Sequence, residues 1–122
     1  MPITDPQALV DRYLRAIGER DFASARTCLG DRGFRYSSPI GHYDDADSFI
    51  ANIEHVGPIL VNVETRFVCA DGKRVCHFLD VTVSLSDYTT QTAVQLATVE
   101  NGRIVRLEVV FDASEYHRMF GF

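Results

Sequence analysis

Four polar side chains stand where an apolar pocket would make them reactive: Tyr13, Tyr36, Ser38 and His77. Histidine is the side chain whose unperturbed pKa lies near neutrality, so His77 in a greasy enclosure would act as a general base. At the end of a strand it would instead be a partly solvated residue with no chemical role. Tyr13 falls on the apolar face of a helix, where an aromatic either fills the core or turns its hydroxyl into a cavity as a hydrogen-bond donor. Tyr36 and Ser38 alternate in FRYSSPIGHY (34–43), which places them on one face of a short strand that stops at Pro39 and turns through Gly41. A serine hydroxyl accepts no proton near neutral pH without a partner base. The catalytic candidates are therefore Tyr13, Ser38 and His77. His42, His55 and His117 read as surface residues or helix caps, with His55 suited to a helix C-terminus. No His, Cys, Asp or Glu grouping has metal-ligand spacing, and neither a metal nor a cofactor is expected.

The elements that must hold these groups are legible from periodicity. Thr4 and Gln7 can form a capping box, with Pro6 tolerated in the first turn. Val10, Tyr13, Leu14 and Ile17 then recur at helical spacing, with Gly18 near the end. Asp21 caps a second short helix whose Phe22, Ala25, Cys28 and Leu29 point inward, closed by Gly30. A strand spans Phe34 to Ser38. Asp44 or Asp45 caps a third helix carrying Phe49, Ile50, Ile53 and Val56 on one side, stopped by Gly57-Pro58. The period then changes to 2, predicting strands over about 60–70, 75–86, 91–99 and 104–112. Ser114 caps a last helical turn, 115–120.

The connection Asn101-Gly102 is the strongest hairpin signal in the chain. A two-residue loop there sets Val99 opposite Ile104, and counting back sets Leu96 opposite Leu107 and Val94 opposite Val109. With a four-residue loop over 87–90, the inner face collects Leu79, Val81, Val83 and Leu85, then Val94, Leu96 and Thr98, then Val105, Leu107, Val109 and Phe111. Val61, Val63, Thr65 and Phe67 join them, and His77 shares their parity. The outer face receives Ala93, Gln95, Ala97, Val99, Ile104 and Val110, mixed with Arg66, Asp80, Arg106 and Glu108. That mixture suits a dimer interface of moderate polarity. The same count puts Cys69 on the inner and Cys76 on the outer face, which forbids a disulfide between them.

At 122 residues the chain forms one domain, 1–122. Its 12 Lys and Arg against 17 Asp and Glu give a net charge of −5, with no basic stripe, which excludes nucleic acid as the expected partner. No run approaches the roughly 20 apolar residues of a membrane span, and MPITDPQ lacks the features of a secretory signal. The expected compartment is the cytoplasm, with Cys28, Cys69 and Cys76 as free thiols.

The segments Asp11-Arg12-Tyr13-Leu14-Arg15-Ala16 with Glu19-Arg20-Asp21-Phe22, Tyr36-Ser37-Ser38-Pro39-Ile40-Gly41 and Val109-Val110-Phe111-Asp112 are similar to those of ketosteroid isomerases. Together with the element order, they make the chain resemble the nuclear transport factor 2-like (SnoaL-like) superfamily. The resemblance implies an α+β cystatin-like cone, ordered α-α-β-α-β-β-β-β. A curved antiparallel sheet wraps the N-terminal helices around an apolar pocket for a small lipophilic ligand, and its outer face forms homodimers. The expected pocket wall is Tyr13, Tyr36, Ser38, Ile40, Phe67, Leu79, Val81, Val94, Leu96, Leu107, Val109 and Phe111. Residue by residue, Tyr13 matches the oxyanion tyrosine of the isomerases. Ser38 occupies the place of their base, an aspartate. The position of their second, acidic donor falls at Val94, or at Gln95 if the strand slips by one. The isomerase mechanism is thus absent from a shell that resembles it. The aspartate–arginine–aspartate set of limonene-epoxide-hydrolase-like enzymes is equally missing, since Val109 and Val110 occupy the region of its last carboxylate. Two readings follow: an isomerase-, cyclase- or hydrolase-type enzyme with Tyr13 as donor, or a non-catalytic dimerising or partner-binding module with a vestigial pocket. Fold alone does not choose between them.

Overall fold

A computed structural model describes residues 5–84 and 87–114, apart from the Val56 side chain. Three helices, α1 (Pro6–Gly18), α2 (Phe22–Thr27) and α3 (Ala46–Val56), pack on a six-stranded sheet. Its strands are β1 (Arg35–Ser38), β2 (Gly41–Tyr43), β3 (Leu60–Asp71), β4 (Arg74–Ser84), β5 (Tyr88–Glu100) and β6 (Arg103–Val110), with a 3-10 turn at Gly57–Ile59 between α3 and β3. The order across the sheet is β2-β1-β6-β5-β4-β3. Every neighbour is antiparallel except β1 and β6. The architecture is the α+β curved-sheet arrangement expected from the sequence, with β2 added where only a turn was read.

The helices begin where side chains can satisfy their first amide groups. Asp5, not Thr4, caps α1 by accepting from Ala8 N–H at 3.1 Å. Asp21 caps α2 and Asp45 caps α3, each accepting from the backbone of the residue three places on. The apolar face of α1 buries Leu9, Val10, Tyr13, Leu14 and Ile17. It meets a core that includes Phe34, Phe49, Leu29, Ile104, Leu107 and Val75. Burying each large aliphatic side chain contributes about 1.5–3 kcal/mol. The helical turn expected at 115–120 and the inward placements of Leu85 and of the Val56 side chain lie outside the described residues.

The register differs from the expected one beyond the first hairpin. Asn101 (φ 52°) and Gly102 (φ 75°) both adopt the left-handed region and make the two-residue turn, so Val99 does face Ile104. A bulge follows at once: Thr98 pairs with Arg106, which leaves Val105 as an extra residue. Here the backbone of Ile104 binds the chain after α2. Ile104 N–H donates to Cys28 O, and Gly30 N–H donates to Ile104 O, both at 2.8 Å. A Cβ on Gly30 would approach Val105 Cγ1 to 3.3 Å, so the closeness of that contact suits glycine.

One extra residue in β6 keeps Leu107 and Val109 inward but reverses the expected faces of β5 and of Ile104. Ala93, Gln95, Ala97, Val99 and Ile104 are buried on the inner face, and Val94 and Leu96 lie on the outer one. The connection between β4 and β5 is also shorter than expected, with Tyr88 already paired to Ser84. In β3, shifts at Leu60/Asn62 and Thr65/Phe67 make a similar change midway. Val63, Thr65 and Val68 face the helices, while Val61 and Phe67 are exposed. Cys69 therefore stands directly opposite Cys76 on the outer face, which corrects their expected separation. Leu79, Val81, Val83, Leu107 and Val109 remain inward, as does His77. The curvature built by these bulges is what folds the inner face around α1.

Candidate functional site

The inner face carries two groups of polar side chains, held by different elements. At the β1 end, Tyr13 reaches from α1 toward Tyr36, and Tyr36 is sandwiched among aromatics. Its ring stacks on Phe49 with centroids 4.3 Å apart and tilts against Tyr43 at 6.1 Å. Burial raises the Tyr13 phenol well above its ordinary pKa, with further upward pressure from Tyr36 and Cys28 nearby. Burial also raises Tyr36, against the opposing effect of a hydrogen bond with Ser38. Ser38 Oγ accepts from Ile40 N–H at 3.2 Å, so its hydroxyl closes the turn between β1 and β2. Its role there is that of a strand-ending residue, with hydrogen bonds among the described residues to Ile40, Gly41 and Tyr36. Ile40 is half-buried at that turn.

The second group lies across the middle of the sheet. Val109, Gln95, His77 and Val68 form one row over β6, β5, β4 and β3. His77 is fully buried, which overturns the reading of a solvated strand-end histidine, and Gln95 is 4% exposed. Asp11, on the flank of α1, holds His77 through Nε2 and Oδ1 at 2.7 Å. Two positions separate Asp11 from Tyr13, about 200° around the helix, so one helix serves both groups from different sides. His77 Nδ1 and the Gln95 side-chain nitrogen, Nε2, find no hydrogen-bond partner among the described residues. Buried polar atoms are nearly always paired, and leaving one unpaired costs about 1–3 kcal/mol. Two such atoms on directly opposed residues make this row the part of the interior whose hydrogen-bonding capacity the described residues leave unused. Ala93 and Ala97 flank Gln95 along β5, so the walls beside it are small.

A cleft of about 400 Å3 between α1 and β3 opens against this row. Asp11, Leu14, Arg15, Val63, Thr65 and Val68 line it, so it reaches the carboxylate that holds His77 and the cross-strand neighbour of His77. A second cleft, about 410 Å3, lies at the other edge of the sheet among Arg35, Tyr36, Ser37, His42, Asp44, Arg106 and Leu107. Among the described residues no three His, Cys, Asp or Glu side chains gather as metal ligands would, and no helix is long and apolar enough to cross a membrane.

Of the expected site residues, Tyr13, Tyr36, Leu79, Val81, Leu107, Val109 and Phe111 pack in or against the core. Phe67 (57% exposed), Val94 and Leu96 do not reach the interior, because the bulges turn them outward. Gln95 takes their place. Asp11 was missed as a site residue; its signal is a carboxylate one helical turn from Leu14, beside the buried stripe.

Residues 10–107 match the pattern of the SnoaL-like domain family. No curated protein matches the chain. Among solved structures, the chain is similar to an NTF2-like protein of unknown function from Cytophaga hutchinsonii (22% identity, 92% of this chain and 94% of that one, TM-score 0.82). It is also similar to an LEH-like epoxide hydrolase from M. tuberculosis (17% identity, 93% and 86%, TM-score 0.80). A de novo designed protein with a curved β-sheet is comparable as well (18% identity, 98% and 93%, TM-score 0.76). At these identities the likeness is one of fold.

Proposed function

The chain belongs to the SnoaL-like domain family, and we propose that it binds a small, mostly apolar molecule over the inner sheet face and moves a proton on it at His77. One observation carries this reading: His77 Nδ1 and Gln95 Nε2 are buried side by side without partners among the described residues. Asp11 binds the opposite ring nitrogen and so orients the imidazole. His77 takes the role of general base that Ser38 cannot fill, and the Gln95 amide offers a donor in place of the missing acid. Tyr13, deep in the aromatic end, serves as a packing residue with a high-pKa phenol and as a second donor only to a ligand that reaches Tyr36. The similarity to an epoxide hydrolase supports a hydrolase- or isomerase-type reaction as the class to test.

The test is a thermal-shift screen of the wild-type protein against steroids, terpenoid epoxides, polyketides and fatty acids, repeated with His77→Phe. Ligand bound to the native state raises the melting temperature. A hit that His77→Phe abolishes supports the reading; hits indifferent to His77 would move the site elsewhere. The absence of any hit would favour the rival reading, a non-catalytic module, which rests on Tyr13, Phe34, Phe49 and Leu107 filling the interior.

We further propose that the protein is a cytoplasmic homodimer joined through the outer sheet face. Phe67, Phe78 and Val110 are exposed there beside Val94 and Leu96, and Phe67 meets Phe78 edge-on at 6.2 Å. Of the apolar members expected there Val110 remains, while Ala93, Ala97, Val99 and Ile104 lie inside. Light scattering on Phe78→Lys should find a monomer where the wild type is a dimer; a monomeric wild type would exclude the assembly.

A further inference from the structure

We propose that the Asp11–His77–Gln95 set is a binding site for a hydroxyl oxygen, either that of water or that of an alcohol on the ligand; this rests on the interior reading above. The reasoning is one of donor and acceptor counting. An ionised carboxylate only accepts, so the 2.7 Å bond from Asp11 Oδ1 fixes the single proton of a neutral His77 ring on Nε2. Nδ1 is then a bare acceptor. Gln95 Nε2 carries two hydrogens and is a bare donor. The two residues are directly opposed on neighbouring strands, on the same face, and facing strands stand about 4.8 Å apart. One oxygen between them satisfies both by donating its own hydrogen to Nδ1 and accepting from Nε2. A hydroxyl does this. A carbonyl or carboxylate oxygen serves Gln95 and leaves Nδ1 unpaired. An ammonium serves His77 and leaves the amide unpaired. The cleft lined by Asp11, Leu14, Arg15, Val63, Thr65 and Val68 reaches this set through Asp11 and Val68, and its three aliphatic members accommodate the apolar part of an alcohol. Asp11 is in this scheme a positioning residue, which sets the ring nitrogen that faces the oxygen.

The experiment is a pair of titrations on the full-length, 15N-labelled protein at pH 8, with cyclohexanol and with cyclohexanone, following the ring nitrogens of His77 and the side-chain amide of Gln95. The expected result is a ring protonated on Nε2 alone, with cyclohexanol moving both Nδ1 and the Gln95 amide. Cyclohexanone should bind at least about fivefold more weakly, the size of one hydrogen bond near 1 kcal/mol. A nuclear Overhauser contact between water and the Gln95 amide in the free protein, removed by cyclohexanol, assigns the oxygen to water. Its absence, with the alcohol bound, assigns it to a ligand hydroxyl. Asp11→Asn should redistribute the ring proton between the two nitrogens and Asp11→Glu should restore it, a response that a merely structural carboxylate would not give. A proton on Nδ1 in the wild type at pH 8 would overturn the inference. So would equal binding of the ketone and alcohol, although either compound displacing these signals would leave the interior ligand reading standing. If neither compound binds and no water contact is seen, both fall.

Discussion

The two polar groups of the interior are built on opposite terms. At the β1 end, Tyr36 lies among Phe49 and Tyr43, and Phe34 tilts on Phe49 at 5.6 Å, so polar hydroxyls ride on a closely packed aromatic cluster. Ser38 there is bound into its own turn. Across the middle of the sheet, His77 and Gln95 sit among alanine and valine, with His77 Nδ1 and Gln95 Nε2 unpaired among the described residues. The first region spends its side chains on cohesion. The second gives up cohesion and keeps hydrogen-bonding capacity that the described residues leave unused.

Perturbing each region should separate them. Phe49→Ala, which removes the ring common to the aromatic cluster, should cost about 3–5 kcal/mol in urea unfolding; a loss under 1 kcal/mol would mean that this end is not the stabilising one. Asp11→Ala deprives the buried His77 Nε2 of its partner and should cost about 1–3 kcal/mol. Full stability in that variant would show that the bond contributes nothing to the fold. Gln95→Leu should stay within about 1 kcal/mol of the wild type, because the amide nitrogen satisfies no group among the described residues. A loss as large as that of Phe49→Ala would erase the contrast. The smallest effect is on the pH dependence. Burial raises Tyr13 and Tyr36 above ordinary tyrosine. The folded state therefore holds phenol protons that the unfolded chain releases from about pH 10 upward. The stability that these two phenols contribute is fully present below that pH and is lost as pH rises toward the folded-state values. Tyr13→Phe should flatten the decline in alkaline unfolding titrations, and an unchanged slope would place its origin elsewhere.

How much of this was legible in the chain depended on whether the signal was local. The Asp21 cap, a cap at Asp44 or Asp45, the helical stripe from Val10 to Ile17 and the Asn101-Gly102 turn are written in neighbouring residues, and the structure has them, with Asp45 as the third helix's cap. The face of β5 was not. The extra residue at Val105 goes with the bonding of Ile104 to Cys28 and Gly30, some 75 positions away in sequence, and no alternation rule anticipates such a partner. For that reason Val94 and Leu96 were expected inside and Gln95 outside. His77 lies on the expected face because the shorter connection between β4 and β5 cancels the reversal of β5. Its partner Asp11 was hidden because a carboxylate beside an apolar stripe is ordinarily solvated, and the side chain is indeed 41% exposed.

The bulges of β3 have an effect outside the site as well. This strand is twelve residues long and forms one border of the sheet. A border of that length with regular spacing would invite a foreign strand to zip alongside it and seed fibrils. The breaks near Val61 and Arg66 interrupt the regular spacing, and Glu64 and Arg66 set charges close to the second. The same irregularity that bends the sheet around its contents thus keeps neighbouring molecules from extending it.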